Sequence, residues 1–531
     1  MTPLSYPPRA ASASRTEAAP TIAATVHHPR RRVNALPLVL VAGLGLACLT
    51  AIFVSDGNIA VAVTPVLLAL IIFAAIKAPL RQSMLVLSFL CLTLENHPSE
   101  AFASDKWRSP LATVGALMLN HLNVTIPVKA LLFSGVDLAL LLLAGIWAAR
   151  RMSGSTVDIR GHVPPAPPLR RAALICLVAI GVFWLFGMSR PDFSFQYSLW
   201  QVHRAIYLPC VFLLFCAALR GPEDARPLGM ALIAAALLRA AAAVYVRQMF
   251  PNIEEVPHAT THADSMLFAD AFLLILVIFF QRPIPKNFWL ATGTLPLLTW
   301  GMVANNRRLV WMELLVGLLV LYFLTPMTRL KRHITRAVVF SIPVLALYGA
   351  AGWNHATGIF APLRTIRSMV DSGVDTSTLW RDLENFNLYS TLRLSPLVGC
   401  GYGHEYVQAI HLILIDVDPV IRYCPHNSIL GLLAFLGVVG FSAIWMMMPL
   451  GFFFAVLSFD LSTAPRDRTI ALTAIGVLVV YLVHCYGDMG FGTWTSIFTV
   501  GPVLALIAKQ AVSIGAWPLH RRAARTSSIA L

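Results

Sequence analysis

Fourteen apolar stretches constrain this chain more than any other feature. They lie near residues 35–55, 59–76, 82–94, 127–149, 171–189, 205–219, 228–246, 265–281, 287–304, 309–325, 337–353, 428–458, 469–487 and 493–509. Most approach the roughly 20 residues that a helix needs to cross a hydrocarbon core. Peptide groups must be paired internally there, so only helices or a closed barrel can span. Unbroken apolar runs without strict alternation favour helices. Composition agrees: 57% of residues are apolar and 12% are charged, against about 25% charged in soluble domains. The expected fold is all-α and polytopic, with about 12–14 transmembrane helices.

The net charge of +15 does not mark a nucleic-acid binder. Its cations sit in short clusters between apolar runs and form no basic domain or continuous basic face. Most of the 40 Lys and Arg fall on one side if both termini are placed in the cytoplasm, which is the arrangement the insertion bias favours. Three regions follow from this. Residues 1–34, rich in Ala, Pro, Ser and Arg, form a disordered cytoplasmic tail; residues 35–510 form the membrane domain; residues 511–531 return to the cytoplasm. Three longer segments are placed outside: 95–126, which contains Trp107 and an apolar patch suited to an amphipathic helix; 247–264, with Glu254, Glu255, His258 and His262; and the large loop 354–427.

That large loop carries Arg364, Arg367, Arg381, Arg393 and Arg422 but no lysine, and Arg307 and Arg308 stand at the mouth of the tenth stretch. A guanidinium grips phosphate oxygens bidentately, which an ammonium cannot do. The set suits a diphosphate at the membrane surface. Interfacial snorkelling, with pairing to Asp371, Asp375, Asp382 and Glu384, is the plainer reading. The loop closes on Cys424-Pro425-His426-Asn427-Ser428, which puts an imidazole at the water-facing start of a span, where it can exchange protons near neutral pH. Cys400 and Cys424 share the loop, so a disulfide between them is a candidate.

Three motifs together resemble the bacterial O-antigen ligase and O-antigen (exopolysaccharide) polymerase superfamily. They are His426-Asn427-Ser428-Ile429-Leu430 followed by Gly437 and Gly440; Arg381 with Pro396-Leu397-Val398-Gly399-Cys400-Gly401; and, more loosely, Asn306-Arg307-Arg308-Leu309-Val310-Trp311. In the third, the family's Ser and Gly are replaced, and the Trp spacing favours Arg308 over Arg307 as the equivalent. The resemblance covers mainly residues 300–445. It implies a GT-C-like enzyme of the bacterial inner membrane, with a periplasmic loop at residues 354–427. Such an enzyme transfers glycan from an undecaprenyl-diphosphate-linked donor to a glycan or lipid acceptor, with no cofactor or metal. Polymerisation is favoured over ligation, and other polysaccharide assembly or export proteins are possible partners. His426, Arg381 and Arg308 would be catalytic. His426 would act either as the base toward the acceptor or as an orienting donor to the diphosphate. Arg307, Arg393, Arg422, Asn427, Asp488 and Arg239 would contact substrate.

Other candidates are weaker. Asp416-Val417-Asp418 spells a paired-carboxylate metal pattern, but two carboxylates in a loop are more often solvated. His258 and His262 have ligand spacing only on a helix, and Pro257 argues for a loop there. Asp488 stands at the outer end of the thirteenth stretch, where it can assist His426, bind sugar hydroxyls or simply cap. Arg239 lies inside the seventh stretch, where charge is expensive, with Asp264 and Asp270 as candidate partners. The competing function is a transporter or flippase for a lipid-linked or polyanionic glycan. That reading predicts charged residues distributed through the spans, whereas the spans read as almost free of charge.

Overall fold

A computed structural model describes residues 36–54, 59–94, 110–120, 133–155, 157–158, 161–252, 256–355, 358–360, 363, 366–367, 376–412 and 419–518. The amino-terminal tail, Trp107, Glu254, Glu255, Arg364, Asp371, Asp375, Asp416, Asp418 and residues 519–531 lie outside the described residues. The chain divides into two units, residues 1–74 and 75–531. The first holds α1 (Leu36–Val54) and most of α2 (Ile59–Lys77). The second runs through α3 (Leu80–Thr93), α4 (Pro110–Leu119), α5 (Gly135–Met152), α6 (Pro167–Met188), α7 (Phe195–Ala218), α8 (Ala225–Met249) and α9 (Ala263–Gln281). It continues with α10 (Pro285–Asn305), α11 (Leu309–Leu324), α12 (Arg329–Gly352), α13 (Thr376–Leu394), α14 (Ser428–Trp445), α15 (Met447–Leu461), α16 (Pro465–Gly487) and α17 (Trp494–Ser513). No strand occurs among the described residues.

Each of the fourteen apolar stretches carries a helix. Eight helical segments are long and apolar enough to cross a membrane: α6, α7, α8 with its preceding turn, α9, α12, α14 with α15, α16 and α17. The chain is an all-α, multi-pass membrane protein. Its helix starts follow the local sequence. Pro167, Pro285 and Pro465 open α6, α10 and α16, where the missing N–H is no loss. Ser134 and Asp137 form a reciprocal capping box on α5, and Thr493 caps α17. In the 95–126 segment the described helix is α4. Its Leu119 is buried, and the Leu119 carbonyl accepts from Trp494 Nε1 at 3.0 Å, so this end packs against α17.

The stretch predicted as one span at 428–458 is broken. Gly437 has φ 59° and ψ −172°, a conformation open essentially to glycine alone. The segment Pro396–Gly401 enters the break backbone to backbone. Val438 N donates to Pro396 O at 2.9 Å and Val439 N to Leu397 O at 3.1 Å. Gly401 N donates to Phe435 O at 2.7 Å and Cys400 N to Ala434 O at 3.3 Å. The groups freed by the broken helix are thus satisfied by the loop, as main chain inside an apolar layer requires. A Cβ on Gly399 would stand 2.3 Å from the Phe435 carbonyl carbon, and one on Gly437 2.3 Å from that of Leu397. The glycines of the two sequence motifs therefore meet because two backbones must touch there.

No disulfide joins Cys400 and Cys424. Cys400 Sγ instead faces the Ala434 carbonyl at 3.7 Å, as its place beside the broken helix dictates. The expectation of a bridge closing the loop is corrected accordingly.

Candidate functional site

The site is built around a corner between α10 and α11. Asn306 ends α10 in the left-handed region (φ 55°, ψ 33°), which asparagine tolerates better than most residues. Asn305 is fully buried and its Oδ1 accepts from Thr260 N at 2.9 Å, while Asn306 Nδ2 donates to Pro257 O at 3.0 Å. The two amides fix the 256–262 segment against the corner. They also aim Arg307 and Arg308 to the same side. Arg307 Nη1 donates to His262 Nε2 at 2.5 Å and Nη2 to Thr260 O at 3.4 Å; Arg308 Nη1 reaches Thr378 Oγ1 at 3.5 Å. A guanidinium does not surrender its proton, so His262 Nε2 is the acceptor and the ring's proton sits on Nδ1, 3.1 Å from Asp488 Oδ2.

Opposite the corner lies α13. Its Asn387 Oδ1 and Nδ2 bind the backbone of Ile410 at 2.9 and 2.7 Å, and Thr391 Oγ1 accepts from Val407 N at 2.8 Å. This returns the chain along α13 to His426. Glu384, three residues past Arg381 and therefore on the same helix face, is 3% exposed and takes hold of that histidine. Its Oε2 accepts from His426 N at 3.1 Å, and its Oε1 lies 3.3 Å from His426 Nδ1. With Nδ1–H directed to the carboxylate, Nε2 is left without a protein partner among the described residues.

Arg307, Arg308, Arg381, Glu384, His426, His258 and His262 line one cavity of about 360 Å³, with Trp380, Leu309 and Leu412 among its apolar walls. Among the described residues, no side chain hydrogen-bonds the Arg381 guanidinium. Burial would depress the His426 imidazole, but the hydrogen bond and charge of Glu384, aided by Asp488, outweigh it and raise the pKa above its ordinary value. For His258, burial and then the Arg307 charge push it down to about 4. His262 falls to about 3 because burial, with Arg307 and Arg381 behind it, overcomes the pull of Asp488. For Asp488 burial alone would raise the carboxyl, yet His262, His484, Arg381 and His426 hold it well below the usual carboxylate range. At neutral pH the cavity is therefore cationic, with three guanidiniums against the one carboxylate of its lining, and that carboxylate is engaged with His426. It is sized for a small anionic head group.

No family model and no curated protein matches the chain.

The remaining residues singled out in the sequence are elsewhere. Arg393 lies over the Tyr389 ring at 4.5 Å and donates to its hydroxyl at 3.3 Å, outside the cavity. Arg422 pairs with Glu405 at 3.4 Å, although its neighbour Ile421 lines the wall. Asp488 contacts His262 from behind the lining. Arg239 is 2% exposed and binds Asp264 through two contacts, Nε to Oδ1 at 2.9 Å and Nη2 to Oδ2 at 2.6 Å; it fixes the first turn of α9 and does not line the cavity. Asn427 is the cap of α14, its Oδ1 accepting from Leu430 N at 3.0 Å and its Nδ2 donating to Asn385 Oδ1 at 3.0 Å. Asn427→Ala is therefore expected to lower stability by about 1–2 kcal/mol, read as a fall in thermal midpoint in detergent.

Two features escaped the sequence reading. In the sequence Glu384 reads only as a surface partner for arginine; its spacing from Arg381 is the signal that places it in the cavity. The apolar stretches also hold more buried charge than expected: Asp270, Glu313 and His484 are all buried inside α9, α11 and α16.

Proposed function

We propose that the chain is a membrane glycosyltransferase that moves glycan from a polyprenyl-diphosphate carrier to an acceptor hydroxyl. The observation that carries this reading is the convergence of Arg307, Arg308, Arg381 and a carboxylate-held His426 on one cavity at the end of the bundle. The sequence resemblance supplies the chemical class, and the cation distribution supports the non-cytoplasmic face of a bacterial inner membrane. A GT-C-like assignment, an undecaprenyl carrier and polymerisation of exopolysaccharide or O-antigen in preference to ligation all belong to the same reading.

The reaction balances simply. The acceptor O–H gives its proton to His426 Nε2 as its oxygen bonds to the anomeric carbon. The bond from that carbon to the diphosphate oxygen breaks, and the lipid diphosphate leaves with the electron pair. Preorganised guanidiniums stabilise the charge where it develops, usually the largest catalytic contribution. Glu384 holds the imidazole in the tautomer that leaves Nε2 able to accept. His426 must be neutral to act, so turnover falls as pH drops through its raised pKa. Glu384→Gln removes the charge that raises it and leaves one acceptor oxygen where the carboxylate had two. The acidic limb of the pH profile is expected to move to lower pH while maximal turnover drops roughly tenfold, part of the general-base contribution.

The direct test is purified protein in liposomes carrying a polyprenyl-diphosphate oligosaccharide, with chelator present. Glycan should lengthen or pass to an added acceptor. Retention of intact lipid-linked donor, with no new glycosidic bond under any acceptor, would overturn the reading. The buried Asp270, Glu313 and His484 favour a second reading, transport of the lipid-linked glycan. It predicts movement of the head group between leaflets with no bond formed, and the same liposomes resolve it.

A further inference from the structure

Beneath the cavity three mutually packed apolar helices, α9, α11 and α16, bring ionisable groups to one level. The antiparallel pair α11 and α16 is in register: a Cβ on Gly487 would stand 2.6 Å from Leu309, Glu313 Oε1 lies 2.7 Å from His484 Nδ1, and a Cβ on Gly317 would stand 3.5 Å from Val480. The same Gly317 position lies 2.5 Å from Leu273 of α9. Asp270 precedes Leu273 by one turn, Glu313 precedes Gly317 by one turn, and His484 follows Val480 by one turn in the opposite direction. All three steps lead toward the cavity. Asp270, Glu313 and His484 thus stand at one level, with Asp270 about 10 Å along α9 from its start.

None of the three is more than 1% exposed. Asp270 Oδ1 and Oδ2, Glu313 Oε2 and His484 Nε2 are buried with no hydrogen-bond partner among the described residues. Among the described residues the surrounding elements supply no neutralising cation at this level; Arg381 and Asp488 act on His484 from the cavity side. On α8 Arg239 is engaged by Asp264. Lys286 lies at the far end of α10, and Lys509 of α17 donates to Val163 O at 2.7 Å at the far end of the bundle. The buried polar groups of α17 include the hydroxyls of Ser496 and Thr499, with Ser496 Oγ on Met266 Sδ of α9 at 3.3 Å, and α16 adds the neutral Cys485 beside His484 and a Tyr481 stacked on Trp445. Nor do these donors converge as ligands of a metal among the described residues. Two carboxylates at one level of a membrane bundle, with a single imidazole already bonded to one of them, are not stable when both are ionised.

We infer that Asp270, Glu313 and His484 form an intramembrane proton-binding site, with Asp270 held as a carboxylic acid beside the Glu313–His484 pair. The inference does not depend on which reaction the cavity performs. It is tested by infrared spectroscopy of the full-length protein in detergent at neutral pH. A carbonyl stretch of a protonated carboxyl should be present, should shift in D2O, and should shift again on labelling with side-chain carboxyl-¹³C aspartate. It should be lost in Asp270→Asn and change frequency in Glu313→Gln. The isotope arm uses the unaltered protein, so it stands even if a variant fails to fold. Absence of an aspartate-derived band from the wild type, or its persistence at full intensity in a folded Asp270→Asn protein, overturns the proposal.

Discussion

Replacing His426 by alanine is expected to lower glycan transfer about 10²–10⁴-fold, the range for loss of a positioned general base. The protein should still insert and fold. His426 contributes a ring and a backbone contact to Glu384, and the backbone contact, His426 N to Glu384 Oε2 at 3.1 Å, survives the substitution. Arg381→Ala in the same assay should cost about 10²–10³-fold. Arg381→Lys should recover little, because an ammonium cannot present the bidentate fork. A discriminating readout is the pH profile. His426→Ala should flatten the acidic limb, whereas Arg381→Ala should leave it in place or move it slightly upward, because the Arg381 charge opposes protonation of His426. Full activity of both variants in folded protein would remove the site assignment.

Gly437→Ala should be severely destabilising. It forces an alanine to φ 59° and ψ −172°, and it drives a methyl group to 2.3–2.4 Å from the Leu397 carbonyl and Val398 N. Backbone strain and overpacking together give about 2–6 kcal/mol, against a total stability of roughly 5–15 kcal/mol for a folded protein. Thermal unfolding in detergent checks it. The adjacent Val438, 50% exposed, serves as a control; Val438→Ala should change the midpoint little. Equal effects at the two positions would show that the loop and the broken helix are not locked together as described.

Much of the architecture can be read in the residues, and the reason is physical. Apolar runs near membrane thickness have almost no alternative to helix, so each of the fourteen carries one. The break in α14 hides in a run that is apolar on both sides of Gly437. Only the partner backbone, arriving from some forty residues upstream, makes the interruption tolerable. Arg307, Arg308, Arg381 and His426 are legible as a set because arginine without lysine is a chemical choice rather than a general demand for charge. Glu384 is less legible, since its burial depends on His426, 42 residues away. Arg393 and Arg422 show the converse: an arginine with a nearby Tyr or Glu on its own surface is consumed locally, and composition does not reveal that. The pairing of Arg239 with Asp264, rather than Asp270, is set by the crossing of α8 and α9, for which a single sequence holds no measure.

The bonding at the broken helix also constrains which wall of the cavity is fixed. The strip from Pro396 to Gly401 is stitched to α14 by four main-chain hydrogen bonds. Peeling it away would strand those groups in hydrocarbon, so the strip that follows the carboxyl-terminal end of α13 is held in place. The amino-terminal turns of α13, whose Thr376, Ser377 and Trp380 line the cavity, carry no such main-chain lock to another segment among the described residues.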